Sequence, residues 1–217
     1  MTTYLKLLLM RHGESLGNVE GRLEGQLSTA LSAQGQRQAQ QLAAYLQPPP
    51  FPTHLYSSPL RRAMETAQVL HKCTGCPLIL DPALQELHQG ILQGLTWTEA
   101  RQTYPDVCTR LTTLDYYPVP GAETLIQAQQ RAVRWYHTLW QYHVLGDVVW
   151  VVSHGGFIQQ LIRVILGCDR TWQISIRHTA LFEFWLINQH PIQRNQHNPE
   201  CWKIVKFNET FHLASGD

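Results

Sequence analysis

This chain has no apolar run long enough to cross a bilayer. Its first, Leu5 to Met10, is interrupted by Lys6 and carries no small-residue cleavage site. The run therefore reads as a β-strand rather than a signal peptide, and a cytoplasmic location is the expectation. The sequence also lacks an excess of either charge: 17 Lys and Arg stand against 16 Asp and Glu, a formal net charge of +1. Neither nucleic acid nor an anionic membrane is an expected partner, so attraction for an anionic substrate must come from a local cluster. Cysteines are few, odd in number and scattered, five in all, which suits free thiols in a reducing compartment. Cys73-Thr-Gly-Cys76 forms one CxxC beside His71, but no second ligand pair follows at metal spacing. Gly75 and Pro77 instead mark a helix end entering a strand. Internal repeats are absent, and the only low-complexity tract is Pro48-Pro49-Pro50.

What is present is an ordinary globular composition, 44% hydrophobic and 15% charged over 217 residues, expected to form a single domain over 1–217. Strand-like and helix-like segments alternate. Tyr4 to Met10 reads as a buried strand, Ala33 to Leu46 as a helix, and the three prolines as a loop. Thr53 to Ser57 is a short strand, Leu60 to His71 a helix and Leu78 to Leu80 a further strand. A loop-rich middle leads to a long helix from about Glu123 to Tyr142. Val148 to Val152, five apolar residues in a row, suggests a central strand covered on both faces. Phe157 to Leu166 is a helix. Ala180 to Ile187 and Trp202 to Phe207 are late strands, expected antiparallel at an edge, with a polar loop from His190 to Glu200 between them and a frayed tail from Leu213. The pattern is that of an α/β three-layer sandwich with a mainly parallel central sheet flanked by helices.

Two strand ends carry chemistry. The first runs into Arg11-His12-Gly13-Glu14-Ser15 and the central one into Ser153-His154-Gly155-Gly156. Ligands of open α/β sheets bind beyond the carboxyl ends of the strands, so parallel strands deliver both histidines to one rim. A glycine after each histidine lets the backbone turn sharply and approach a ligand. Either motif alone is weak; the pair is hard to dismiss. Between them Ser57-Ser58-Pro59-Leu60-Arg61-Arg62-Ala63 again leads a strand into a helix. Arginine is unfavourable at a helix N-terminus unless an anion is near. Phosphoryl transfer asks for such a set: an imidazole nitrogen facing phosphorus, fixed positive charge around three equatorial oxygens, and an acid for the departing alkoxide. Arg11 and Arg62 offer forked donors and His154, once protonated, a third, so no metal or other cofactor is required.

These residues resemble the histidine phosphatase superfamily, also called the phosphoglycerate mutase-like family, from Leu8 to about Leu166. Arg11-His12-Gly13-Glu14-Ser15 with Asn18 is similar to its signature, and Ser57-Ser58-Pro59-Leu60-x-Arg62-Ala63 to its second motif. Glu86, in Gln-Glu-Leu-His-Gln-Gly, falls at the family's proton-donor position, and Val152-Ser153-His154-Gly155-Gly156 completes the set. The resemblance implies a phosphohistidine at His12, a phosphoryl group held by Arg11, Arg62 and His154, and Glu86 as proton donor. It further implies that Ser15, Asn18, Gly155 and the Glu24-Gly25-Gln26 turn line the substrate pocket. The implied substrate is a small phosphorylated metabolite, and the oligomeric state stays open.

This chain departs from the family where substrate is chosen. Many of its phosphatases have Gln-Gly followed by Asp and Pro; here Glu24-Gly25 is followed by Ser28 and Ala30. Mutases of the family usually place threonine where Glu24 sits and carry a basic, proline-rich insertion before the long helix. Here Glu86 to Glu123 is compact, with Arg101 and Arg110 its only Lys or Arg. A carboxylate at the pocket mouth would repel a phosphoglycerate carboxylate, so a phosphatase is expected rather than a mutase or a non-catalytic binding module. A solvated Glu24 pointing away from the site is the other expectation. The remaining histidines, His54, His71, His137 and His143 among them, show no convincing ligand spacing. Trp135, Tyr136 and Trp140 read as packing residues.

Overall fold

The computed structural model describes residues 3–114, 117–168, 174–187 and 202–213. Its six strands are β1 (Leu5–Arg11), β2 (His54–Ser57), β3 (Leu78–Leu80), β4 (Val148–Ser153), β5 (Leu181–Leu186) and β6 (Trp202–Glu209), in the order β3-β2-β4-β1-β5-β6. The four strands from β3 to β1 pair in parallel, and β5 and β6 add antiparallel at one edge. Around them lie α1 (Leu16–Val19), α2 (Ala33–Tyr45), α3 (Arg61–Thr74), α4 (Trp97–Thr103), α5 (Pro105–Thr113), α6 (Leu125–Tyr142) and α7 (Gly155–Ile165). The expected sandwich is what forms. Among the described residues no helix is long and apolar enough to cross a membrane.

Side-chain alternation makes the layers. Leu5, Leu7 and Leu9 of β1, with Val149 and Val151 of β4, pack on α6 and α7. Leu8 and Met10, with Trp150 and Val152, face α2 and α3. β1 from Leu7 to Met10 and β4 from Val148 to Val152 are therefore uninterrupted apolar runs, because both faces are covered. Trp135 and Tyr136 lie buried in the first of these cores, as packing residues should.

The expected loop-rich middle is different. It holds α4 and α5 and a small core of Leu92, Ala100 and Cys108. Thr96 and Glu99 form a reciprocal capping box on α4, and Pro105 opens α5 at a position where no N–H is needed. α5 has a short stripe of Tyr104, Val107, Cys108 and Leu111, and α4 buries Ala100 alone. α7 begins two residues earlier than expected, because the glycines of Gly155-Gly156 are its first turn. The expected loop from His190 to Glu200 lies outside the described residues, as does the tail after Leu213.

Candidate active site

The sheet delivers its chemistry at the carboxyl ends of β1, β2 and β4. β1 pairs with β4 so that Arg11 lies opposite Ser153, and the next residues are His12 and His154. Their rings stand 5.0 Å apart, both buried. His12 Nδ1 lies 2.6 Å from the Gly13 carbonyl, which can only accept, so Nδ1 carries the proton and Nε2 keeps its lone pair. Arg62 Nε donates to that Nε2 at 3.2 Å. Burial first, then the charges of His154, Arg11 and Arg62, hold the His12 pKa well below the usual histidine range. The neutral, nucleophilic form is the resting one.

Two backbones meet directly beside this histidine. A Cβ on Gly13 would lie 2.5 Å from the carbonyl oxygen of Gly35 in α2, and one on Gly35 would strike the Glu14 carbonyl. Only glycine at both places lets the first turn of α2 seat against the loop that carries His12.

Arg62, 1% exposed, has every nitrogen engaged. Besides His12 it donates to the carbonyls of Leu27 (2.6 Å) and Gly25 (2.8 Å). Arg11 donates through Nη1 to the Ile176 carbonyl at 2.5 Å. Its Nε is buried and has no hydrogen-bond partner among the described residues. His154 Nε2 lies 2.8 Å from Ser58 Oγ, and its Nδ1 is likewise buried and unpartnered. Burial and the charges of Arg62, Arg11 and Arg131 keep the His154 pKa well below the usual value. A protonated His154 therefore requires an anion beside it.

Glu86 sits at the N-terminus of α7. Its Oε1 accepts from Phe157 N (3.0 Å) and Leu87 N (2.9 Å), and its Oε2 from Gly156 N (3.0 Å). A Cβ on Gly156 would come within 2.6 Å of Oε1. The segment before Glu86 is pinned by Arg131, which donates to the carbonyls of Ala83 (2.8 Å) and Gln85 (2.7 Å). Arg131 is itself forked onto Glu123 at 2.8 and 2.6 Å, so Glu123 is committed to holding this arginine.

Glu24 corrects both expectations for it. It is neither at an open pocket mouth nor solvated, but 6% exposed behind Arg62. Oε2 accepts from Ser15 Oγ (2.7 Å) and Asn18 Nδ2 (3.0 Å) and lies 3.6 Å from Arg62 Nε; Oε1 accepts from Thr29 Oγ1. Ser15 and Asn18 also cap α1 reciprocally, so both are occupied in shaping the floor. Gln26 reaches across to the Glu86 carbonyl at 3.0 Å, and its N–H donates to Gln93 Oε1. The Glu24-Gly25-Gln26 turn thus clamps the arginine and braces the acid rather than lining a mouth. Gly155 leaves Arg11 uncovered: a Cβ there would stop 3.8 Å from Arg11 Nε.

One pocket residue escapes sequence reasoning. His178 has its ring 6.2 Å from that of His12 and its Nε2 3.1 Å from Asn18 Oδ1. Burial, with Arg11 adding to it, lowers its pKa to about 4. Thr179 follows at φ 55, a conformation strained for a β-branched residue, and its N–H reaches the His12 carbonyl at 3.3 Å. No local motif marks His178; an isolated histidine ahead of β5 was the only signal.

Two buried neutral imidazoles, one buried and one half-buried guanidinium group and a carboxyl at a helix N-terminus make a pocket for an anion that needs both a nucleophile and a proton carrier. Comparison with known proteins agrees. The family model for the histidine phosphatase superfamily (branch 1) matches residues 7–208. The chain is 40% identical over 215 residues to the probable phosphoglycerate mutase GpmB of Escherichia fergusonii, covering 96% of this chain and 95% of that protein. It is 33% identical over 159 residues to a metal-independent phosphoserine phosphatase of Arabidopsis thaliana, covering 72% and 66%. A solved mycobacterial glucosyl-3-phosphoglycerate phosphatase complexed with VO3 superposes at TM-score 0.78 and 28% identity, covering 94% and 99%. The chain belongs to the histidine phosphatase superfamily, as a phosphoglycerate mutase-like hydrolase of its first branch.

Proposed function

We propose that this enzyme is a metal-independent phosphomonoesterase that hydrolyses a small phosphorylated metabolite through a phosphohistidine on His12. The observation that supports it best is the pair of unpartnered buried atoms, Arg11 Nε and His154 Nδ1, beside an Nε2 whose lone pair is fixed by the Gly13 carbonyl. Buried polar atoms without partners are rare and ask for an explanation. Phosphoryl oxygens supply one.

In the first step the His12 Nε2 lone pair forms a bond to phosphorus as the ester P–O bond breaks. Arg62 Nε, already directed at this nitrogen, turns its donation to an equatorial oxygen. Arg11 takes another and His154, protonated beside the dianion, a third. The leaving oxygen takes a proton from the Glu86 carboxyl, whose Oε2 accepts a single N–H and has room to carry one. In the second step water attacks phosphorus, the N–P bond breaks, and Glu86 takes the water's proton. Inorganic phosphate leaves and His12 returns to its starting form.

Phosphoserine is the named substrate of one relative and glucosyl-3-phosphoglycerate of another. Both are alkyl phosphates, the class assigned to this chain. A mutase reading has one observation in its favour, the 40% identity to a protein named for that activity. The same phosphohistidine would then be captured by a substrate hydroxyl instead of water.

The test is a labelled quench. Enzyme mixed with a ³²P-phosphomonoester in EDTA should hold label that survives base and is lost in acid. His12→Ala should hold none and lose turnover by on the order of 10⁴-fold or more. An acid-resistant phosphoenzyme, or activity lost in EDTA and restored by a divalent cation, would overturn the reading. A phosphoglycerate interconversion assay run in parallel separates hydrolase from mutase.

A further inference from the structure

At the amino ends of the same parallel strands lies a second cluster, unrelated to phosphate chemistry. His54 is the first residue of β2, His143 caps the C-terminus of α6, and Asp147 closes the turn that enters β4. One nitrogen from each histidine and one Asp147 oxygen lie within 4.8 Å of one another. The histidine rings meet edge to face with centroids 4.4 Å apart. Among the described residues this is the one group of three His, Cys, Asp or Glu whose donor atoms gather so closely. Cys73, Cys76 and His71 do not, and neither do the three pocket histidines.

The ring hydrogen bonds decide which atoms are available. The Thr53 hydroxyl lies 3.1 Å from the Val148 carbonyl, which can only accept, so its proton is directed there. Thr53 Oγ1 is then an acceptor for His54 Nδ1 at 2.9 Å, and the lone pair of His54 is left on Nε2. His143 Nε2 lies 3.0 Å from Tyr56 Oη, a hydroxyl that can donate or accept, so Nδ1 is the atom open to an ion. That Nδ1 is buried, in a side chain 2% exposed, and makes no hydrogen bond. Asp147 Oδ2 stands 3.4 Å from it, an ion-pair distance when the ring is protonated. Its fixed position comes from accepting the Val144 N–H at 3.1 Å.

With Tyr56 Oη as acceptor from Nε2, Nδ1 keeps its lone pair beside the Asp147 oxygen, and a cation between the two would bind both. The separation suits one. Around a tetrahedral zinc ion with bonds of about 2.0–2.1 Å, neighbouring ligand atoms are about 3.3–3.4 Å apart. In metal sites the nitrogen not bound to the ion is typically tied to a hydrogen-bonding partner that fixes the ring, and here both histidines have a hydroxyl in that place. A cleft of about 260 Å³, lined by Tyr56, Asp81, Tyr142 and His143 among others, opens beside the cluster and gives an ion a way in.

We propose that His54, His143 and Asp147 form a site for a zinc-class divalent cation, which joins the end of α6 to the start of β2 and β4. The donor set, two imidazoles and a carboxylate, favours zinc over the hard cations calcium and magnesium. The ion would be structural. It sits at the opposite end of the strands from His12 and takes no part in phosphoryl transfer, so it is compatible with hydrolysis that persists in EDTA.

The test uses the whole chain, stripped with EDTA and dialysed against Zn²⁺ alone, with metal content measured by mass spectrometry and affinity by competition with a chromophoric chelator. Wild type should retain one zinc per chain. His54→Gln and Asp147→Asn, both at partly exposed positions, should each weaken binding about tenfold or more, while His12→Ala binds as wild type does. Zinc at a hundred times its Kd should raise the melting temperature of wild type by roughly 5–10 °C and leave the two variants unmoved. Hydrolysis in EDTA should be the same in both variants as in wild type. No stoichiometric zinc in wild type, zinc held equally well by both variants, or zinc lost in His12→Ala would each overturn the proposal.

Discussion

The two ends of one parallel sheet each bring a pair of histidine rings together, 5.0 Å apart at the carboxyl end and 4.4 Å at the amino end. What differs is the company. At the carboxyl end, half-buried Arg11 and buried Arg62 flank His12 and His154, and their charges add to burial in keeping both rings neutral. At the amino end the neighbour is the Asp147 carboxylate, which opposes the lowering of the His143 pKa by burial and by His54. A neutral imidazole offers a lone pair in either setting. Fixed cations around it direct that lone pair toward an anion's phosphorus; a carboxylate beside it makes the same lone pair a cation ligand.

The comparison breaks most severely where the acid is removed from the cationic end. Glu86→Gln should slow alkyl phosphates by on the order of 10²–10⁴ and p-nitrophenyl phosphate far less, since nitrophenolate leaves without help. Equal losses on both, measured as kcat, would make Glu86 only a cap on α7. Next is the cation itself. Arg62→Gln should cost on the order of 10²–10³ in kcat/KM, by analogy with removal of one donor to a developing anion, and should weaken vanadate inhibition in step. If vanadate binds unchanged, Arg62 is not a phosphoryl ligand.

Glu24→Gln probes the one carboxylate buried among the cations. Gln would turn an N–H₂ toward Ser15, Asn18 or Thr29 and remove the charge behind Arg62, a change of about 1–3 kcal/mol. We expect kcat/KM to fall about tenfold for 3-phosphoglycerate and neutral sugar phosphates alike. A selective gain for the carboxylated substrate would restore Glu24 to the pocket mouth.

The smallest expected effect is on stability. The pKa of His178 is lowered in the folded state to about 4 from an ordinary 6.5. Between those values the unfolded chain binds a proton that the folded one refuses, so stability falls as pH drops through that window and is unaffected above it. His178→Asn should flatten the fall of melting temperature between pH 6.5 and 4. An identical slope in the variant would assign the acid sensitivity to the other histidines whose pKa is lowered, His12, His143, His154 and His212.

Much of this was legible in the sequence. An uninterrupted apolar run followed at once by Arg-His-Gly or Ser-His-Gly tells both where a strand ends and what its end carries. The surroundings of Glu24 were not legible, because its partners Ser15, Asn18, Thr29 and Arg62 come from separate segments, and burial is a property of their meeting. α4 and α5 were hidden for another reason: their caps, Thr96 with Glu99 and Pro105, are local and visible, but each helix is short and buries few apolar residues. His54 and His143 stand 89 positions apart by their numbers, each ordinary in its own stretch, and only the pairing of β2 with β4 unites their neighbourhoods.

The contact between Gly13 and Gly35 has a consequence for anyone altering this enzyme. Two backbones touching without side chains between them leave no cushion, so a methyl group added on α2 would be felt as a displacement of the nucleophile. Position 35 would then register in a mutational scan as essential for turnover although it never meets the substrate. Sensitivity maps of this protein will therefore extend beyond the pocket along that seam, and redesign of α2 should start from its outer face.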